Sequence, residues 1–229
     1  MQEYFDYLDS HKPAINVASY VAQGAIRIDE MGFSDASPTE EQMYNMKAEV
    51  RKAMEAGCMG MSSGLVYLPG EYTSKEEMAE LAKEMVPYNG FYVTHIRSEG
   101  RDEMAALDEA IYIAKTAGVP LHVSHLKVMG YENFGKTGEV FAKLEKAEAE
   151  GLDVRFDCYP YNAGMTSLGA LLPPWVFEGG VNNMLERIKL EENRERIVKE
   201  IKEGLPGWQN FFSLAGTWDG VVIASVMSE

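Results

Sequence analysis

Two short apolar runs in this chain end on histidine, in Phe91-Tyr92-Val93-Thr94-His95 and Leu121-His122-Val123-Ser124-His125. The two terminal histidines are 125 − 95 = 30 residues apart. Between the runs, Met104, Leu107, Ala110, Ile111 and Ala114 recur at helical spacing over 102–116, and Gly118 stops the pattern. Strand, helix and strand in that order make a crossover unit, the connection that parallel strands require. This unit constrains the fold more than any other feature of the sequence.

The same alternation continues on both sides. Ala14 to Val21 reads as a strand. Ser37-Pro38-Thr39-Glu40 reads as a capping box with Pro at the first helical position, opening a helix through Met43, Met46, Val50, Ala53 and Met54 that Gly57 ends. A short strand over 59–62 follows, then a Gly-, Tyr- and Pro-rich loop, and Thr73 or Ser74 caps a helix to about Val86. A helix over 136–150 and a strand over 152–158 complete the series.

Strands separated by helices imply a parallel sheet, either doubly wound or part of a (β/α)₈ TIM barrel. A dinucleotide-binding doubly wound sheet would carry a G-x-G-x-x-G turn, and the chain has none. A barrel puts polar residues at the C-terminal ends of its strands. Ser62, His95, His125 and Asp157 stand at such ends. The barrel part is assigned to residues 1–170. Residues 171–229, with a charged helix over 182–203 and short strands over 211–214 and 220–224, form a small helical insertion or subdomain.

The net charge of −15 argues against a nucleic-acid surface, which needs clustered Lys and Arg. No apolar run approaches the roughly 18 residues that span a bilayer, and no signal-peptide layout is present, so no membrane partner and a cytoplasmic location are expected. Cys58 and Cys158 do not make a disulfide framework and are both read as core thiols.

Side chains alternate along a strand, so Phe91, Val93 and His95 share one face, as do Leu121, Val123 and His125. If that face points into the barrel, two imidazoles converge at its mouth as metal ligands. The alternative is two unrelated polar strand ends. Arg97 and Lys127 follow the histidines, and cations beside a metal suit an anionic substrate group; ordinary surface charge is the competing reading. His122 falls on the helix side as a structural residue, and His11 in an exposed loop. Asp157 can hold a ligand, orient a histidine or bond loop amides. Tyr67 and Tyr72 can line a pocket or pack their loop. The methionines follow helical spacing as core filling.

Six segments occur together in order: Gly60-Met61-Ser62-Ser63-Gly64-Leu65, Tyr67-Leu68-Pro69-Gly70-Glu71-Tyr72, Thr94-His95-Ile96-Arg97-Ser98-Glu99, Ser124-His125-Leu126-Lys127, Asp157-Cys158-Tyr159-Pro160-Tyr161 and Leu171-Leu172-Pro173-Pro174-Trp175. On these the chain resembles the central part of the D-aminoacylase (N-acyl-D-amino-acid deacylase) family of the amidohydrolase superfamily. The resemblance implies about strands three to seven of a metal-dependent barrel that hydrolyses the amide of N-acyl-D-amino acids with zinc. It implies His95 and His125 as zinc ligands and Lys127 as the grip on the substrate carboxylate. Tyr67 and Tyr159 or Tyr161 become substrate contacts, and Arg97 is carried with them as a candidate.

Departures from the family pattern set further expectations. The chain lacks the family's first-strand His-x-His and its Asn-Cys-Gly turn, and Ala22-Gln23-Gly24 stands where Gly-His-Gly is often found. The general base is expected beyond residue 229, so the isolated chain is expected to be inactive. Open barrel edges make a homo-oligomer an expected state. Another amide or cyclic-amide hydrolase of the superfamily is the alternative enzyme, although Met59-Gly60-Met61-Ser62 lacks the lysine that often bridges metals there. A non-catalytic oligomerising or binding module derived from the barrel is the alternative outside catalysis.

Overall fold

The computed structural model describes residues 1–225. Its elements are α1 (Gln2–His11), β1 (Tyr20–Ala22), α2 (Gln23–Met31), α3 (Glu40–Glu55), β2 (Gly60–Gly64), α4 (Lys75–Ala82), β3 (Phe91–His95), α5 (Glu103–Ala117), β4 (Leu121–Val123), α6 (Thr137–Ala149), β5 (Val154–Phe156), α7 (Val181–Arg187), α8 (Glu191–Glu203) and α9 (Phe211–Ala215). The strands form one parallel five-stranded sheet in the order β1-β2-β3-β4-β5. A doubly wound sheet must reverse its strand order, because helices then cover both faces. Here the order never reverses, and right-handed crossovers keep the helices on one side. The sheet is an arc of a (β/α) barrel.

The register shows which residues face the helices. Val21, Met61, Tyr92, Leu121 and Val154 are aligned across the five strands. They pack with Met46, Val50, Met78, Leu107, Ala110, Ile113 and Leu144 of the helices in one continuous core. The next row, Ala22, Ser62, Val93, His122 and Arg155, faces the open concave side. Period-2 alternation therefore sorts core from concave residues along each strand. Of the methionines at helical spacing, Met46, Met54 and Met78 are buried and Met43 and Met104 pack partly buried against the core; Met61 of β2 and Met85 are buried with them.

Several boundaries differ from the sequence reading. The strand expected over 14–21 shrinks to Tyr20–Ala22. Ile15 and Val17 are exposed, so no apolar face extends that strand. The capping box exists two residues later: Thr39 accepts from the Gln42 amide at 3.2 Å and Gln42 accepts from the Thr39 amide at 2.9 Å. Cys58 is buried, but Cys158 is exposed, because β5 ends at Phe156 and leaves the thiol in the loop beyond the sheet. His11 is exposed but ends α1 rather than lying in a loop.

Beyond the sheet, Val176, Ile197, Ile201 and Trp208 form a second apolar cluster. The helix expected over 182–203 is broken into α7 and α8, with Asn193 donating to the Arg187 carbonyl at the break. The strand expected over 211–214 is helix α9, capped by Asn210, whose side chain accepts from the Ser213 amide. Residues 221–225 form no strand. Among the described residues no helix is long and apolar enough to cross a membrane.

Candidate metal centre

β3 runs to His95, which faces the concave side in line with Phe91 and Val93, as alternation requires. β4 does not run to His125. It ends at Val123, and Leu121 and Val123 point into the helix-side core. Strict alternation would put His125 on that side too. The chain instead turns, with His125 at φ 39°, and the turn swings its imidazole back over the concave face. A non-glycine residue in the left-handed region costs of order 1 kcal/mol; Lys12 and Asn89 adopt it as helix C-caps, whereas His125 adopts it at a strand end. His95 and His125 thus converge as expected, but through a turn rather than a shared strand face.

His122 is consequently on the concave side, not the helix side. Its Nε2 lies 2.6 Å from Asp157 Oδ2. The other carboxylate oxygen, Oδ1, accepts the His125 backbone N–H at 2.8 Å. Of the three roles open to Asp157, the structure thus shows it bonding His122 and the backbone of His125. Burial pushes the Asp157 carboxyl up, but these two hydrogen bonds outweigh it and leave the group below its ordinary value.

The facing nitrogens are His95 Nδ1 and His125 Nε2, 3.0 Å apart. Behind them sits Glu99, only 2% exposed. Its Oε1 is 3.1 Å from His125 Nδ1, and its Oε2 is 3.7 Å from His95 Nε2. Lys127 Nζ donates to Glu99 Oε1 at 2.5 Å and lies 2.9 Å from His125 Nδ1. One buried carboxylate therefore backs both rings, while an ammonium neutralises it. With Nδ1–H of His125 given to Glu99, its Nε2 keeps a lone pair for a metal, the arrangement of a carboxylate–histidine–metal relay. Two nitrogens on one tetrahedral zinc, each about 2.0–2.1 Å from it, lie about 3.3 Å apart, close to the spacing seen.

With Nδ1 of His95 turned to the ion, the ring proton sits on Nε2, which is buried without a hydrogen-bond partner and 3.7 Å from Glu99 Oε2. Burial, helped by the neighbouring His125 and Lys127, pushes the His95 imidazole down to about 3, so it is neutral and carries a free lone pair at ordinary pH. Among the described residues His95, Glu99 and His125 form the group whose ligand atoms all lie within 4.8 Å of one another. In the sequence Glu99 figures only as the last residue of the segment Thr94-His95-Ile96-Arg97-Ser98-Glu99. Its signal was a carboxylate four residues past a histidine, just beyond a strand end.

The remaining candidates divide. Tyr67 stands beside the centre, its ring 5.2 Å from that of His95, with its hydroxyl bonded to Thr166 Oγ1 at 3.0 Å. It lines a cleft of about 210 Å³ with Ala22, Gly24, Ser62 and Gly64. Tyr159 lies on the other flank, 6.5 Å from the His125 ring and under Lys127 at 5.3 Å. Tyr161 is at the rim, 75% exposed. Arg97 is not in the centre. Its Nε and Nη2 bind Glu109, while Nη1 and Nη2 donate to the Glu71 and Thr73 carbonyls at 2.7 and 2.8 Å. The guanidinium is engaged by Glu109 and by the loop carrying Tyr67 rather than turned to the two imidazoles.

Glu103 lies behind Glu99, buried, with Oε1 unpartnered. Burial first, then repulsion from Glu99, pushes its carboxyl up to about 8. Burial pushes Glu71 up to about 7, against the attraction of Arg97. Both groups hold protons in the folded state that the unfolded chain has released. Their stabilisation is present below the unfolded value near 4.5 and is lost as pH rises through 7 to 8. His95 acts the other way only between about 3 and 6.5. Metal-free protein is therefore expected to lose about 3 kcal/mol between pH 6.5 and 8.5, at about 1.4 kcal/mol per proton per pH unit. Chemical denaturation across that range measures it. A Glu103→Gln variant should flatten the profile, and an unchanged slope would refute the assignment.

No protein-family model matches the chain. The D-aminoacylase of Alcaligenes xylosoxydans xylosoxydans is 36% identical over 166 residues, 72% of this chain and 34% of its own length. The N-acyl-D-glutamate deacylase of the same organism is 34% identical over 168 residues, 73% of this chain and 34% of its own. A crystal structure of a D-aminoacylase, described as defining a novel subset of amidohydrolases, superposes with a TM-score of 0.69 at 36% identity over 71% of this chain and 34% of that one. The matched part of this chain belongs to the D-aminoacylase family. The N-acyl-D-glutamate deacylase of Bordetella bronchiseptica, solved with zinc and a phosphonate mimic of the tetrahedral intermediate, superposes with a TM-score of 0.68 at 34% identity, over 70% of this chain and 34% of that one. The chain spans about a third of the length of these D-aminoacylase relatives.

Proposed function

We propose that this stretch supplies zinc-binding strands of a hydrolase that cleaves the amide bond of N-acyl-D-amino acids. The observation that carries the proposal is the facing pair His95 Nδ1 and His125 Nε2, 3.0 Å apart and backed by buried Glu99. Zinc held there would act as a Lewis acid and make water nucleophilic near neutral pH. Glu99 orients His125 and carries Lys127, so it is not assigned as the general base. Lys127 is the cation for a substrate carboxylate, with Tyr67 and Tyr159 on the two flanks and Tyr161 at the rim. The names of the relatives support the substrate class.

The chain is expected to bind one equivalent of zinc. N-acyl-D-amino acids should then raise its melting temperature by a few degrees, N-acyl-L-amino acids by less, and neither in the metal-free protein. Equal shifts for both enantiomers would overturn the substrate class. Two imidazoles leave the usual four-coordinate zinc short of protein ligands. Release of free amino acid by the isolated chain is therefore not expected, and zinc-dependent release would contradict this.

A further inference from the structure

The loop that carries Glu99 is held from outside the barrel. Trp208, Gln209 and Asn210 are consecutive and buried. Trp208 sits in the second apolar cluster with Val176, Ile197 and Ile201. Asn210 donates to the Ile201 carbonyl at 2.6 Å, fixing the segment to the end of α8. Between these two anchors Gln209 reaches the other way, and its Oε1 accepts the Glu99 backbone N–H at 2.5 Å. The Glu99 carbonyl is taken by the Met129 N–H at 2.7 Å. Both backbone groups of Glu99 are thus fixed, one from the loop after β4 and one from the helical region.

Packing points the same way. A Cβ on Gly100 would meet Leu214 Cδ2 at 2.6 Å, and one on Gly130 would meet the same atom at 3.0 Å. Leu214 of α9 therefore presses on the loops after both β3 and β4, next to the residue that backs the two imidazoles. A side chain at Gly100 would have to displace the end of Leu214, and Gly130 stands at φ 91°, where glycine is favoured.

We propose that Gln209 is a positioning residue for the metal centre: it fixes the Glu99 backbone, and through the Glu99 carboxylate the orientation of His125. This rests on the reading of the two histidines as zinc ligands. Outer partners of metal ligands typically command about 10- to 100-fold in affinity. Gln209 acts one step further out, so Gln209→Met is expected to weaken zinc binding about tenfold. Gln209→Glu, which keeps an accepting oxygen at the same reach, should restore most of it.

The test is a zinc titration against a chelating indicator, with the melting temperature of each metal-free variant measured in parallel. Tenfold weaker binding in Gln209→Met with recovery in Gln209→Glu supports the proposal. Unchanged affinity in Gln209→Met, or equal loss in both variants, overturns it, whatever happens to the melting temperature. If the wild-type chain binds no zinc, the metal reading itself fails. The contact is then judged by amide exchange at Glu99: protection comparable to the β3 amides upholds it, and free exchange removes it. The same exchange measurement serves if Gln209→Met does not fold.

Discussion

His95→Ala is expected to abolish zinc binding at neutral pH, while His122→Ala reduces it only indirectly. The loss for His95 should exceed the roughly 10- to 100-fold that outer partners command, because a ligand itself is removed. Only one imidazole would remain to face the ion, with Glu99 behind it. His95 Nδ1 and His125 Nε2 face each other at 3.0 Å, so removing the first takes away half of the nitrogen pair that would hold the ion. Equilibrium dialysis with zinc at pH 7.5 measures the difference. His122 faces the concave side too, but its Nε2 is taken by Asp157, and it touches the centre only through the His125 backbone. Equal losses in the two variants would mean that the ion sits elsewhere, and retention of stoichiometric zinc by His95→Ala would remove the site.

The fold was legible in the sequence because each strand-helix unit carries its own signals. Helical spacing and Gly118 gave α5 to within a residue at each end, and the parallel sheet followed from the crossovers. The site was legible only in part. His95 obeys strand alternation and was placed correctly. His125 reached the same place for a different reason, since a φ of 39° leaves no mark on the pattern of apolar residues around it. That turn reversed the faces assigned to Leu121, Val123 and His122. Glu99 and Gln209 are 110 residues apart, and their contact depends on how the helical region docks. No local periodicity carries such information. The segment over 14–17 misled in the opposite sense, because β-forming residues there find no face to bury.

Arg97→Ala is expected to destabilise the chain by about 3 kcal/mol, the lower end of what breaking a mostly buried ion pair costs, with little effect on zinc affinity. The side chain is 23% exposed and its partner Glu109 15% exposed, so solvent screens the pair only weakly. Alanine would leave Glu109 without its cation and strand two carbonyls, of Glu71 and Thr73, that the guanidinium now satisfies. Lysine is not a substitute, because one ammonium cannot span a carboxylate and two carbonyls in the fixed fork that Arg97 uses. Arg97→Lys should therefore recover less than half of the loss. The loop released is the one carrying Tyr67, so its contacts with His95 and Thr166 should loosen while the two imidazoles stay backed by Glu99. Urea denaturation alongside zinc titration separates the two effects. A variant that keeps its stability but loses affinity for N-acyl amino acids would return Arg97 to the substrate site and refute the anchoring role drawn from its hydrogen bonds.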